Sequence, residues 1–257
     1  LVLATELAKG SKVTLIDADP NRPMVKWQKR GGEAANLTIV ENDDEVALLD
    51  DIRAAAQTTP FVLVDLEGTR NLANAYAISM SDFVVIPCQG STLDSDEASR
   101  AVRLIRNEET RLGRSIPHAI MLTKISPAIR TRTLKHIEDD FIAGEVDVMT
   151  ACLFERDAFR ALFSFAATLD QLDPSEVSGL DKARANARAF ALEVVTRLQA
   201  GEKAKKKGEN DEDGPPRAHD TARHRTTLTT RSMRSPGGTR CRSSPPCSTL
   251  RPPGAPR

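Results

Sequence analysis

Three carboxylates carry the chemistry that this sequence offers. Asp17 and Asp19 follow the run Val13-Thr14-Leu15-Ile16 and stand just before Pro20. Asp65 closes the apolar run Phe61-Val62-Leu63-Val64 and is followed by Leu66, Glu67 and Gly68. Short apolar, β-branched runs of this kind suit strands buried on both faces of a parallel sheet. In such sheets ligands collect beyond the carboxyl ends of the strands. Two strands that bring acid to one edge could meet a Mg²⁺-bound nucleotide. Carboxylate oxygens suit that cation, and phosphoryl transfer to water needs positioning and charge neutralisation more than covalent chemistry. Gly68 falls where the backbone could approach a phosphate. The bland alternative for Asp17 and Asp19 is an Asp-Pro turn with a helix cap. For Asp65 it is an acid that merely ends a strand.

The elements that must position these acids alternate along the chain. Leu3 and Leu7 share a face of an opening helix, which Gly10 is placed to stop in a left-handed cap. Strands are expected over 12–17, 37–41, 61–65, 82–87, 118–123 and 146–154. Helices are expected from Pro23 to Trp27, around Val46, Leu49 and Ile52, and over 71–80, 92–113, 129–143, 156–165 and 179–199. About six alternations of strand and helix predict an α/β fold with a mostly parallel sheet and helices on both faces.

Charge divides the chain in two. Residues 201–257 hold thirteen Lys+Arg against six Asp+Glu, whereas residues 1–200 hold 23 against 30. The acidic body argues against bulk capture of nucleic acid, though a local basic face is compatible with it. Every aromatic residue lies before residue 201. A folded domain over 1–200 and a disordered tail over 201–257 follow, because the tail lacks the apolar groups to repay its ordering entropy. A basic tail that binds nucleic acid, or a segment translated out of frame, would also have this composition.

The four cysteines show no zinc spacing, and His118, His136, His219 and His224 have no partners at ligand spacing. No apolar run reaches the length of a membrane span. Trp27, Phe154, Phe159, Phe163 and Phe165 are expected to pack in the core.

Taken in order, these motifs resemble the ParA/MinD family of deviant-Walker P-loop ATPases, and within it the ParA-like proteins of the VirC type. The resemblance covers roughly residues 1–199. Members carry a phosphate loop of the form KGGxGKTT just before a helix like residues 1–9. Their next strand ends in D-x-D-P-Q/N, matched by Asp17-Ala18-Asp19-Pro20-Asn21. Four apolar residues and an Asp follow, matched by residues 61–65. An apolar strand with proline comes next, matched by Val84-Val85-Ile86-Pro87-Cys88-Gln89.

The resemblance implies a three-layer P-loop NTPase-like fold that uses ATP and Mg²⁺. It gives Asp19 the attacking water, Asp65 the Mg²⁺ through a bound water, and Asp17 and Gly68 supporting places at the nucleotide. Thr123 and Lys124 fall where members contact adenine, and Arg156 falls in a loop that closes over the base. Lys182, Arg184 and Arg188 on the last helix would bind DNA without sequence preference. Arg184 and Arg188, one turn apart, share a face. Arg100, Arg103 and Arg106, and the run Arg130, Arg132, Lys135, offer other basic faces. An ordinary solvated helix face is the bland reading of each. The implied protein is cytoplasmic, nucleoid-associated and not membrane-bound. It forms an ATP-dependent homodimer and works with a ParB-like or DNA-transfer partner in plasmid or chromosome partitioning or in DNA transfer.

The sequence departs from the family at its most telling motif. It contains no Gly-Lys-Ser/Thr phosphate loop, and Gly31-Gly32 lacks the residues that would make one. The chain is therefore expected to be N-terminally truncated, to lack the first strand, and not to hydrolyse ATP as it stands. The missing strand is expected to leave an unpaired apolar edge beside Asp65. A non-catalytic binding module and a ligase of the dethiobiotin-synthetase or cobyrinate-amidase kind are the alternatives on the same scaffold.

Overall fold

The computed structural model describes residues 1–67, 72–128, 131–211 and 226–231. In chain order the first half runs α1 (Val2–Ala8), β1 (Val13–Ala18), α2 (Pro23–Lys29), β2 (Leu37–Glu41), α3 (Leu48–Thr58), β3 (Phe61–Leu66), α4 (Leu72–Met80) and β4 (Phe83–Gln89). The second half runs α5 (Thr92–Leu112), β5 (His118–Ile125), α6 (Arg132–Ala143), β6 (Leu153–Phe154), α7 (Asp157–Ser164), α8 (Leu180–Asp211) and β7 (Thr226–Arg231). The strands form a seven-stranded sheet in the order β2-β1-β3-β7-β4-β5-β6. Each pairing between the named strands is parallel.

Alternation along the strands builds a core on each face, as the period of two requires. Leu15, Leu63, Val85 and Met121 pack with α1 and α8 through Leu3, Leu7, Phe190 and Val194. Ile16, Val62 and Val64 pack on the other face with Ile52 of α3 and Ala77 of α4. Val84, Ile86, Ile120 and Leu122 continue that second face under α5 and α6, against Val102, Ile105, Leu134 and Ile137. The three-layer α/β fold expected from the sequence is thus present.

Local signals explain the best-defined ends. The Ser91 hydroxyl accepts the Asp94 N–H at 3.2 Å to start α5, and Gly113 ends that helix at φ +65°. Other expectations need correction. Gly10 is not left-handed; its N–H and that of Ser11 both close on the Leu7 carbonyl. Val46 is 68 % exposed, because α3 begins only at Leu48 and turns Leu48, Ile52 and Ala55 inward. The strand expected over 146–154 shrinks to β6 and a single bridge between Val148 and Ile120. Side chains of α8 take its backbone groups instead. Glu193 accepts from Thr150 and Ala151 N–H, and Asn186 accepts from Phe154 N–H while donating to the Cys152 carbonyl.

The largest departure concerns the C-terminal segment, expected to lack structure from residue 201. Helix α8 continues to Asp211, through a Lys/Glu/Ala stretch of high helix propensity. Residues 226–231, Thr-Thr-Leu-Thr-Thr-Arg, form β7 in the middle of the sheet. Four β-branched residues favour the strand conformation even without an apolar run. Phe61 to Leu66 pair with β7 in full register, so the edge beside Asp65 is not bare. The remainder of the segment lies outside the described residues.

Candidate functional site

β1 and β3 are adjacent, and their connections leave on opposite faces of the sheet. The one from β1 passes through α2, whose Met24 joins the α1–α8 layer; the one from β3 passes through α4, whose Ala73 and Ala77 join the other layer. Adjacent strands that part in this way open a crevice at their carboxyl ends. Asp17 and Asp65 are register partners at that point, and Glu41 of β2 is the partner of Asp17 on its other side. Three carboxylates therefore stand in a row across the sheet.

Their surroundings separate them. Glu41 is drawn off by Arg22 and by Lys29 at 3.5 Å. Asp17 is fully buried, and its Oδ2 accepts the N–H groups of Met24 and Val25 at 2.8 and 2.9 Å. These are unpaired donors of the first turn of α2, so Asp17 caps that helix from outside it. Its Oδ1 is buried with no hydrogen-bond partner. Burial pushes the Asp17 carboxyl above the ordinary carboxylate range, outweighing the backbone donors that pull it down. Asp19 is 3 % exposed, and its Oδ1 accepts both the backbone N–H of Asn21 at 2.7 Å and the Asn21 side chain at 2.9 Å. The turn-and-cap reading of the Asp-Pro element is therefore realised structurally.

Asp65 is 5 % exposed and lines a cavity of about 470 Å³. The cavity brings Asp65 together with Gln89, Thr123, Lys124, Arg156 and Phe159. Lys124 reaches it through a strained backbone. It sits at φ +53°, where β5 shifts register against β6 between Thr123 and Ile125. Non-glycine residues in this conformation gather at functional sites. Arg156 lies with its guanidinium carbon 5.5 Å from the centre of the Phe154 ring, and its Nε is buried with no hydrogen-bond partner. The Arg156 Nε, buried without a partner at the cavity, is an unmet donor for a polar ligand, whereas Asp17 and Asp19 are not among the residues that line the cavity.

The expectation that the four phenylalanines pack in the core is only partly met. Phe154 and Phe159 are half-buried at the cavity, Phe163 also lines it, and Phe165 is 58 % exposed. Trp27 is buried, as expected, at 2 % exposure. Gly68 and Arg130 lie outside the described residues. Among the described residues no group of three or more His, Cys, Asp or Glu could hold a metal ion unaided.

The basic residues singled out on α8 differ among themselves. Lys182 and Arg188 are exposed. Arg184 is half-buried; it donates to the Leu169 carbonyl at 2.9 and 3.1 Å and pairs with Asp170 and Asp181 at 3.3 and 3.4 Å. Asn186 and Glu193, which hold the segment leading to Arg156, carried no sequence signal beyond their place on a helix. Among the described residues no helix is long and apolar enough to cross a membrane.

The architecture defines the class. The structure resembles a plasmid partition protein of Borrelia burgdorferi B31 bound to AMPPNP, with a TM-score of 0.53 and 16 % identity, covering 74 % of this chain and 90 % of that one. It resembles the MinD cell division protein of Aquifex aeolicus equally, with a TM-score of 0.53 and 16 % identity, over 74 % and 88 % of the two chains. The fold is that of the ParA/MinD P-loop NTPases. In sequence the chain is 35 % identical over 199 residues to the ParA protein of Rhizobium radiobacter, spanning 77 % of this chain and 89 % of that protein. The VirC1 protein family model matches residues 2–195, and the chain belongs to that family of ParA-like proteins.

Proposed function

We propose that this chain is a ParA-like partition or DNA-transfer protein whose site takes a Mg²⁺-nucleotide at the carboxyl ends of β1 and β3. The observation that carries the reading is the register pairing of Asp17 with Asp65 beside a cavity lined by Lys124 and Arg156. The donor set fits the cation. Mg²⁺ is held by one or two carboxylates together with substrate phosphates and water. Asp65, at the cavity wall, is the carboxylate that would meet it, with Asp17 beside it in register as the supporting acid. Bound there, Mg²⁺ would neutralise phosphate charge. Asp19 would orient water, Thr123 and Lys124 would border the base, and Arg156 would close over it. The AMPPNP complex of the Borrelia protein supports nucleotide as the ligand class.

The sequence contains no Gly-Lys-Ser/Thr loop to cradle the phosphates. Binding without turnover is therefore the reading for this chain by itself, and hydrolysis is assigned to the arrangement that includes such a loop. The exposed Lys182 and Arg188 would give salt-dependent, sequence-independent DNA contacts, in a nucleotide-dependent homodimer that meets a ParB-like or DNA-transfer partner in the cytoplasm, at the nucleoid. Equilibrium binding of Mg²⁺-AMPPNP to the full chain tests the core of this. Binding that weakens by on the order of tenfold or more in Asp65→Ala supports it; no binding, or equal binding in Asp65→Ala, overturns it.

A further inference from the structure

Helix α2 joins two parts of the site that are far apart in sequence. At its start, the Met24 and Val25 N–H groups are held by Asp17. At its end, two side chains reach the last turn of α7. The Trp27 Nε1–H donates to the Leu162 carbonyl at 3.0 Å. The Arg30 guanidinium donates to the Phe163 carbonyl at 2.9 Å and to the Ser164 carbonyl at 2.8 Å. The closing carbonyls of a helix have no partner inside it. Three consecutive ones here accept from Trp27 of α2 and from Arg30 just after it, Leu162 sharing its carbonyl with the Ala167 N–H at 3.1 Å, and the cation also suits the negative end of the α7 dipole. The fit is close: a Cβ on Gly32 would lie 2.3 Å from the Trp27 ring. Helix α7 in turn supplies Phe159, Arg160 and Phe163 to the cavity, while Pro23 and Met24 of α2 line it too.

We infer that Trp27 and Arg30 are positioning residues which carry the state of the Asp17 carboxylate, through α2, to the aromatic wall of the cavity on α7. Neither the Trp27 nor the Arg30 side chain needs to touch the ligand. The acid end and the aromatic wall move together because one rigid turn of helix is bonded to both. The inference rests on the proposed function only in taking Mg²⁺-nucleotide as the ligand whose arrival changes the state of Asp17.

The test begins without ligand, on the full chain, by amide hydrogen exchange with Trp27 emission, since Trp27 is the single tryptophan. Arg30→Gln removes an exposed side chain and should leave the fold intact. The last-turn amides of α7 should then exchange on the order of tenfold faster, the equivalent of losing a charged hydrogen bond, while those of α5 stay unchanged. Asp17→Ala should give the same acceleration in α7 and a red-shifted Trp27 emission. Asp17→Asn, which keeps an acceptor for the two N–H groups, should restore both. Unchanged α7 exchange in Asp17→Ala, or no rescue by Asp17→Asn, overturns the inference. Mg²⁺-AMPPNP then provides a second arm. Wild-type protein that fails to bind it sinks the proposed function and leaves the first arm to stand or fall alone. Binding that is equally tight in Arg30→Gln overturns the coupling.

Discussion

Asp17 and Asp65 are side-by-side partners on adjacent parallel strands, yet they do different work. Asp17 is fully buried and spends one oxygen on the start of α2, whereas Asp65 forms part of the cavity wall. A row of like charges is tolerable because the neighbours divide it. Glu41 is neutralised by Arg22, and helix donors share the charge of Asp17. This division makes the two acids separable by mutation.

Asp17 costs stability as an anion. Its carboxyl is raised above the ordinary 3.8 by burial, so the folded state binds the proton more tightly than the unfolded state. Its contribution is then most favourable below pH 3.8 and declines as pH rises through the raised folded value. Asp17→Asn removes that cost and keeps an acceptor. Its melting temperature at pH 7 should be no lower than wild type, and the gap should narrow towards pH 4. Asp17→Ala, which orphans two N–H groups, should lose about 1–3 kcal/mol. Thermal melts across pH check both.

Lys124 should show a trade between stability and binding. Its φ of +53° favours glycine. Lys124→Gly should therefore hold or raise stability, by up to about 1 kcal/mol, while weakening Mg²⁺-AMPPNP binding. Chemical denaturation beside equilibrium binding separates the two effects.

β7 should be a supporting strand rather than an ornament. It pairs with β3 on one side and with Phe83 to Val85 of β4 on the other. Ending the chain at residue 211 should lower the melting temperature by roughly 5 °C or more, and should speed hydrogen exchange in β3 and β4 more than in β2. An unchanged melt would show that the sheet does not depend on this strand.

Cys88 should be inert in the native protein. Burial first, and then the Asp94 charge, push its thiol up to about 12. At pH 8 roughly one thiol in ten thousand is ionised, and the thiolate is the reactive form. Alkylation mapped by mass spectrometry should leave Cys88 unmodified in the folded protein and modify the half-buried Cys152 first of the two.

The basic face of α8 should divide by role. Arg188→Glu should weaken DNA retention at low salt and flatten its salt dependence without changing the melt. Arg184→Ala should instead lower stability, by about 1–2 kcal/mol, because the Leu169 carbonyl loses its partner. Filter binding over a salt series, with a melt of each variant, distinguishes the two.

Much of this protein was legible in order of residues alone. Apolar runs ending in acid placed Asp17, Asp19 and Asp65 at strand tips, and the alternation of periods announced a parallel sheet between helices. Those features are local: a strand shows as a period of two and a helix as 3.6, whatever they later touch. The rest depended on pairing at a distance. Only the fold could show that Thr-Thr-Leu-Thr-Thr-Arg, in a proline- and arginine-rich segment, takes a central place in the sheet, because a strand is stabilised by its neighbours and not by its own composition. Only the fold could show that Glu193 and Asn186 replace a strand ladder, or that Trp27 and Arg30 close a helix more than 130 positions away. Hydrogen-bond partners of helix ends are chosen by proximity in space, and sequence spacing carries no record of that proximity until the chain has folded.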